Sequence, residues 1–375
     1  MLQLLEALIA GSTLLLSFLI FTNPKGVNKQ ANFWLGIFMF SLALVNLDTL
    51  LITHKIYHTF PHLIGISDLL FFLVPPSIYF AALYFVAPQR KYRWTDPFHF
   101  FFFITYCILN LPALLVQDGS SKLKMLLEEE PMQADDYIAS GIILVYTLTY
   151  CILSLLKINR HQKNVAQIHS SSEGIDLSWF KYFLICVLIL AGVWATYVLV
   201  QSDLLNYVVT TTYFVLVFFL AYYALHQREV YNFNANEKEA IQQLTEGKQE
   251  LPKKLQLEPA QLQGLKQQLD ALMQSEKPFL DNELNLLKLA ARMQITIHTL
   301  SYVINEGYGE NFAQYVNRYR VEEAKKLLDD PQVAHLSILG IAFDAGFNSK
   351  TVFNTTFKKI TGLSPSEYKS RSSVL

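Results

Sequence analysis

Long apolar runs dominate the first 226 residues of the chain, and polar residues take over abruptly after them. About 20 residues of helix cross the roughly 30 Å hydrocarbon core of a bilayer. Seven apolar runs reach that length, at residues 2–21, 32–52, 61–86, 97–116, 137–157, 178–200 and 204–226. The pattern predicts an all-α fold that begins with a seven-helix transmembrane domain over residues 1–226.

Lysine and arginine are unevenly distributed among the loops between these runs. Cytoplasmic loops of membrane proteins carry an excess of both residues. One alternate set of loops holds Lys25, Lys29, Arg90, Lys91, Arg93, Lys157, Arg160 and Lys163, whereas the other set holds Lys55, Lys122 and Lys124. The asymmetry predicts a multi-pass protein of the cell (inner) membrane, with its N-terminus outside and everything after His226 in the cytoplasm.

The composition agrees with a membrane protein, because 52% of the 375 residues are hydrophobic and 16% are charged. An ordinary soluble protein is less apolar than this. The cysteines lie inside apolar runs without the close spacing of a metal site, and Pro61 interrupts the evenly spaced His54, His58 and His62. We therefore predict no metal and no cofactor.

A polar segment over residues 227–274 follows the last apolar run and reads as a cytoplasmic helical linker. Pro252 and Pro259 break it into pieces. Four leucines then repeat at alternating spacings of three and four residues, at Leu262, Leu265, Leu269 and Leu272. Two heptads do not establish a coiled coil. This helix either packs on its own domain or forms a dimer with a second copy.

The last hundred residues contain an internal repeat, with two copies of one unit 53 residues apart. Thr296 and Ser349 are good helix N-caps, since a hydroxyl accepts from the free N–H groups of a first turn. The matching pairs that follow them are Leu300 and Phe353, Ile304 and Phe357, Gly309 and Gly362, Asn311 and Ser364, and Tyr315 and Tyr368. Leu289-Ala290 and Ile341-Ala342 match ahead of the caps.

Each copy reads as a helix, a tight turn and a capped second helix. This is the helix-turn-helix plan, in which the second helix enters the DNA major groove. The amphipathic stretch NFAQYVNRYRVEEAKKLL, residues 311–328, joins the copies. As a helix it rises roughly 25 Å, while successive major grooves lie about 34 Å apart. With its turns, it can set that separation.

Three stretches resemble the AraC/XylS family of transcription regulators: LAARMQITIHTLSYVIN, YRVEEAKKLL and IAFDAGFNSKTVFNTTFKKITGLSPSEY. The resemblance covers about residues 275–372. It implies a bipartite DNA-binding domain at 275–375 whose two recognition helices enter successive major grooves. Some members of this family carry multi-span membrane regions at the N-terminus, which this chain resembles.

The candidate DNA-binding residues lie opposite the core positions of the two second helices. They are Ile297, His298, Ser301, Tyr302 and Asn305 in the first unit, and Ser349, Lys350, Thr351, Asn354, Thr355 and Lys358 in the second. Asn pairs with adenine, and apolar groups contact the thymine methyl. The family often places arginine on these faces, whereas this chain has none there, so we expect a site rich in A·T pairs. The lysines of the second unit predict that it supplies more phosphate contact.

Polar residues and prolines inside the apolar runs are the candidates for signal sensing. Asn46, Asp48, Asp68 and Asn110 lie within runs, and Pro75 and Pro76 interrupt the third run. Such residues are functional candidates in a membrane, although the aspartates lie near the outer ends of their runs. Our hypothesis is that movement at the proline kink reaches the DNA domain through residues 227–276.

These observations predict a membrane-bound, one-component transcription regulator, and not an enzyme. Its partners would be operator DNA, the lipid bilayer, a second copy in a homodimer and an unknown small-molecule or envelope signal. Two alternatives stay open. The chain could be an integral membrane enzyme or transporter with a helical scaffold, although it shows none of the usual catalytic motifs. Alternatively, the spans could be a passive anchor.

Overall fold

The computed structural model describes residues 2–23, 25–127, 134–170, 175–226, 257–333 and 335–372. Throughout these ranges the secondary structure is helical, and the one β-bridge, between His169 and Asn285, stands outside any strand. The chain divides into two compact units, Met1–Asn159 with Leu177–Val230, and Arg160–Asp176 with Tyr231–Leu375. The predicted all-α fold is confirmed.

The helices of the first 226 residues are α1 (Leu2–Thr22), α2 (Lys29–Thr53), α3 (Asp68–Phe71), α4 (Val74–Val86), α5 (Phe101–Val116), α6 (Gly119–Leu127), α7 (Ala134–Ile168), α8 (Ser178–Val200) and α9 (Asp203–His226). Most apolar runs form helices close to their predicted bounds, but α7 continues to residue 168 where the prediction ended at 157, and α6 lies between two predicted runs. Among the described residues, 6 helices are long and apolar enough to cross a membrane, or 7 if one bent pair counts as a single span.

The bent pair is the third predicted span, and its two helical pieces meet at an angle of 45°. The break falls at residues 72 and 73, so Pro75 and Pro76 lie in the first turn of α4. Proline is favoured there because the first turn has no partners for its N–H groups. The prolines therefore begin the second piece, and a hinge at this position stays a prediction.

Some polar side chains within the predicted spans have hydrogen-bond partners, whereas the buried hydroxyls of Ser41 and Ser67 have none among the described residues. The Tyr57 hydroxyl donates to the carboxylate of Asp48. The Asn46 side-chain amide donates to the Tyr213 hydroxyl at 3.2 Å. A polar group in an apolar medium is costly unless it is bonded, so these two contacts lower the cost of carrying Asn46 and Asp48 within the spans.

The second unit contains seven named helices among its described residues. They are α10 (Pro259–Ser275), α11 (Leu286–Arg292), α12 (Ile297–Tyr308), α13 (Phe312–Asp329), α14 (Ile338–Asp344), α15 (Lys350–Thr361) and α16 (Pro365–Ser372). They enclose two hydrophobic cores. Helix α13 belongs to both, since Tyr315 and Val316 lie in the first core and Val321 and Ala324 in the second.

Helix α10 packs against the first of these cores. Leu269 is fully buried there, and the other three leucines of its repeat pack against the same core. The Tyr308 and Tyr319 hydroxyls both donate to Asp270, at 2.8 and 2.9 Å. The leucine face is thus used within its own domain, and the core takes in residues that precede 275. Residues 227–256 of the predicted linker lie outside the described residues.

Candidate nucleic-acid interface

The first helix-turn-helix unit consists of α11, a tight turn and α12. Asn285 caps α11 by accepting from the Lys288 N–H at 2.9 Å, and the Thr296 hydroxyl caps α12 by accepting from the Thr299 N–H at 3.1 Å. Between the helices, Gln294 has a φ of 54°. That left-handed residue ends α11 and turns the chain toward α12.

The second unit, α14 and α15, repeats this construction. Ser337 accepts from the Gly340 N–H at 3.0 Å, and Ser349 accepts from the Val352 N–H at 3.4 Å. Gly346 takes the left-handed turn position with a φ of 88°. The two predicted N-caps, Thr296 and Ser349, are therefore confirmed.

The two turns differ in length by one residue. In both units the turn closes with a hydrogen bond to an alanine carbonyl, from the Ile295 N–H to Ala290 at 3.1 Å and from the Phe347 N–H to Ala342 at 2.9 Å. These pairs are offset by 52 positions, whereas the caps are offset by 53, because Asn348 is an extra residue in the second turn. The single predicted offset of 53 therefore holds only from the caps onward.

Helices α12 and α15 have the same length, 12 residues, and end in the same way. Gly309 and Gly362 follow them in the left-handed conformation, with φ of 68° and 79°. Helix α13 then joins the units over 18 residues, a rise of about 27 Å. The chain thus joins two matched second helices by one continuous helix.

The turn of the second unit lies against the first half of the domain. A Cβ atom placed on Gly346 would lie 2.3 Å from the carbonyl oxygen of Phe279 and 2.9 Å from the Cα of Leu280. Only glycine fits at such a distance from another backbone. This close approach fixes how the two helix-turn-helix units are placed relative to each other.

A buried arginine strengthens the same junction. Arg320, at the middle of α13, has no exposed surface. Its Nε donates to the Phe279 carbonyl at 2.7 Å, its Nη2 donates to the Asp281 carbonyl at 2.8 Å, and its guanidinium lies 5.8 Å from the centre of the Phe347 ring. Burial lowers the pKa of Arg320 to about 10. Arg320 thus contacts both halves of the domain.

Comparison with known proteins agrees with this geometry. The model of a helix-turn-helix domain family matches residues 289–371. The C-terminal domain is an AraC-type helix-turn-helix domain. A protein of Bacillus subtilis (strain 168), "Uncharacterized transcriptional regulatory protein YesN", is 36% identical over 86 residues, which is 22% of this chain and 23% of that protein. No solved structure gives a significant match.

The AraC-type domain presents most of the predicted DNA-binding residues on its surface. Asn305, Lys350, Thr351, Thr355 and Lys358 are exposed, and His298, Ser301, Tyr302 and Asn354 are partly exposed. The Asn305 amide donates to the Ser301 hydroxyl at 3.3 Å. Each recognition helix therefore carries a continuous polar face, and the assignment of these faces to DNA stays a prediction.

Two of the predicted residues have structural contacts in the AraC-type domain. Ile297 packs partly against the first core. The Ser349 side chain is 5% exposed, and its hydroxyl is the cap of α15. Any contact of Ser349 with DNA would have to be made alongside the cap, so its replacement would also affect the helix.

Sequence reasoning missed Arg320, although a signal for it was present. Arg320 follows Val316 by four residues and precedes Ala324 by four, and residues at this spacing share one face of a helix. A charged residue on the apolar face of an amphipathic helix has to find buried partners. The sequence does not show which carbonyls accept hydrogen bonds from Arg320.

Proposed function

We propose that this chain is a membrane-bound, one-component transcription regulator that binds a specific DNA site through two helix-turn-helix units. The observation that carries the proposal is the matched pair of capped recognition helices, α12 and α15, held by α13. The family match at 289–371 and the relative named as a transcriptional regulatory protein support it. The long apolar helices support a membrane location.

In the proposed complex, α12 and α15 enter successive major grooves on one side of the duplex. The rise of α13, about 27 Å, is compatible with grooves about 34 Å apart once the turns are added. Asn354 and Asn305 would contact adenine edges, while Lys350 and Lys358 would contact phosphates. The first recognition helix carries no lysine or arginine, so the second would supply more of the salt-dependent affinity.

The transmembrane bundle would sense the signal, and the N-terminus would lie outside, which places the AraC-type domain in the cytoplasm with the DNA. The loop charges support this orientation. Dimerisation would require a surface other than the leucine face of α10, because that face packs on the first core.

The test uses the full-length protein in lipid nanodiscs and DNA selected from a random pool. We expect one enriched sequence, protection of two adjacent major grooves, and an affinity that falls steeply with salt. The triple variant K350A/T351A/N354A should lose the selected sequence, whereas Lys326→Ala, on α13 and paired with Glu323, should retain it. The proposal fails if no sequence is enriched or if binding is independent of salt.

Regulation is tested separately with a reporter that carries the selected site. Full-length protein should change reporter expression, and the change should depend on growth conditions. A soluble form that lacks residues 1–226 would also be measured at equal protein level. If it remained regulated, the spans would be only an anchor.

A further inference from the structure

A cavity of about 540 Å³ lies among the helices of the first unit. Its walls come from α1, α2, α7, α8 and α9 and from the junction of α3 and α4. Ligand sites in proteins typically occupy about 300–1,000 Å³, and an engineered apolar cavity of about 150 Å³ holds benzene. By that proportion this cavity holds roughly twenty non-hydrogen atoms.

The two ends of the cavity can be assigned because α2 and α9 run in opposite directions. Asn46, in the second half of α2, donates to Tyr213 in the first half of α9. At the opposite end, a small second cavity brings Asn32, near the start of α2, beside Ala224 near the end of α9. The start of α9 therefore lies at the same end as the finish of α2.

Polar side chains line the cavity at that end. They come from the start of α1, the second half of α2, the end of α8 and the first half of α9, and are Glu6, Asn46, Thr49, Tyr197, Asn206 and Thr210. Among the described lining residues, Glu6 is the charged one and none is basic. This end therefore offers hydrogen bonds and one negative charge to a ligand.

The other end is apolar. Phe38, Met39, Phe183, Val217 and Leu220 line it. Ten residues of α2 separate Met39 from Thr49, a rise of about 15 Å, and fourteen residues of α9 separate Asn206 from Leu220, a rise of about 21 Å. The cavity is thus an elongated space with a polar end and an apolar end.

We infer that this cavity binds a single-chain amphiphile whose polar head is cationic or neutral, with the head at the Glu6 and Asn206 end. An apolar chain of a molecule taken from water is buried against the aromatic end. A carboxylate or phosphate head would meet Glu6 without a compensating cation. A two-chain phospholipid has more than twice the roughly twenty non-hydrogen atoms that fit, so the occupant is a smaller molecule than the bilayer lipids.

The binding itself follows from the cavity alone, whereas its role as the signal rests on the proposed function. With the N-terminus outside, the polar end faces the outer side of the membrane. The ligand would then enter from the envelope side.

The test titrates the full-length protein in nanodiscs, without DNA, with decyltrimethylammonium, 1-decanol and decanoate below their micelle concentrations. Empty nanodiscs of the same lipid measure partition into the bilayer. We expect saturable binding of one molecule per chain, with the cation and the alcohol at least tenfold tighter than decanoate. The inference would be overturned if the titration heats of all three probes were the same with protein-containing and with empty nanodiscs.

Two variants test the location. Ala191 lines the cavity, and Ile189, on the same helix, is 60% exposed and outside it. Ala191→Trp should weaken binding at least tenfold, while Ile189→Trp should leave it unchanged. Glu6→Gln should reduce the preference for the cation over decanoate at least threefold, and does not depend on filling the core. Equal effects of the two tryptophans together with an unchanged preference would refute the site.

Because no DNA is present, these measurements stand apart from the proposed DNA function. A protein that binds the amphiphile but selects no DNA would remove the proposed function and keep the ligand site. A protein that selects DNA but binds none of the probes would keep the proposed function and remove the ligand site.

Discussion

Arg320 donates a hydrogen bond from Nη2 to the hydroxyl of Ser170 at 3.0 Å, across 150 positions of the chain. The Ser170 hydroxyl in turn donates to the Leu284 carbonyl at 2.6 Å. Ser170 lies two residues beyond the end of α7, and residues 160–176 belong to the second unit. The segment after the fifth predicted span is therefore bonded to the same arginine that joins the two halves of the AraC-type domain.

Replacement of Arg320 by leucine should destabilise the second unit by about 2–4 kcal/mol. The variant leaves the Phe279 carbonyl buried without its Arg320 donor, which costs about 1–3 kcal/mol. It also removes one of two donors to the Asp281 carbonyl, which keeps the Leu284 N–H at 3.1 Å. Thermal unfolding of the full-length protein in nanodiscs measures the change. Arg292→Leu is the matched control, since its exposed pair with Glu276 at 3.2 Å contributes about 0–1 kcal/mol. Equal losses in the two variants would contradict the role given to Arg320.

Gly346→Ala should separate the two helix-turn-helix units. The added methyl would collide with the Phe279 carbonyl, and the left-handed conformation adds strain, so we expect a loss of about 2–4 kcal/mol. Protection of two adjacent grooves on DNA should shrink to one. Gly362→Ala shares the left-handed conformation but has no atom within 4 Å of the new methyl, so it should lose about 1 kcal/mol and keep both grooves. If the Gly346→Ala variant still protected two adjacent DNA grooves, the contact between Gly346 and Phe279 would not be what positions the two units.

Asn354→Ala and Lys358→Ala should change DNA binding in different ways. Loss of an adenine contact should relax base preference at one position of the site by about 1–3 kcal/mol. Loss of a phosphate contact should weaken all sequences alike and lower the slope of log affinity against log salt by about 1. Binding measured over a salt series and a set of single-base variants separates the two effects. If Asn354→Ala weakens every sequence equally, the asparagine does not read a base.

Much of the candidate interface could be predicted because its determinants are local. The caps at Thr296 and Ser349 and the buried Leu300 and Phe353 follow from residue type and helical spacing within one unit. Gly309 likewise marks the end of a helix by its own conformational freedom.

The junctions could not be predicted in this way. The contact of Gly346 with Phe279 and the bond of Arg320 with Ser170 join residues that no period or motif relates. The same is true of the cavity in the first unit, because apolar runs of similar composition do not show which faces pack and which leave space. Only the packed chain supplies that information.

His169 makes the stability of the second unit sensitive to acid. Burial, followed by the proximity of His161, lowers the pKa of His169 from 6.5 to about 4, and His169 pairs with Asn285 in the isolated β-bridge. A histidine with a lowered folded-state pKa binds more protons when unfolded, so its contribution is complete above about pH 6.5 and is lost as the pH falls toward 4. We expect a loss of about 1–3 kcal/mol across that window. Thermal unfolding at pH 7.5, 6.5, 5.5 and 4.5 should show it in the wild type and to a smaller extent in His169→Asn, because the other titrating groups are common to both. Parallel curves for the two proteins would show that His169 is not the group responsible.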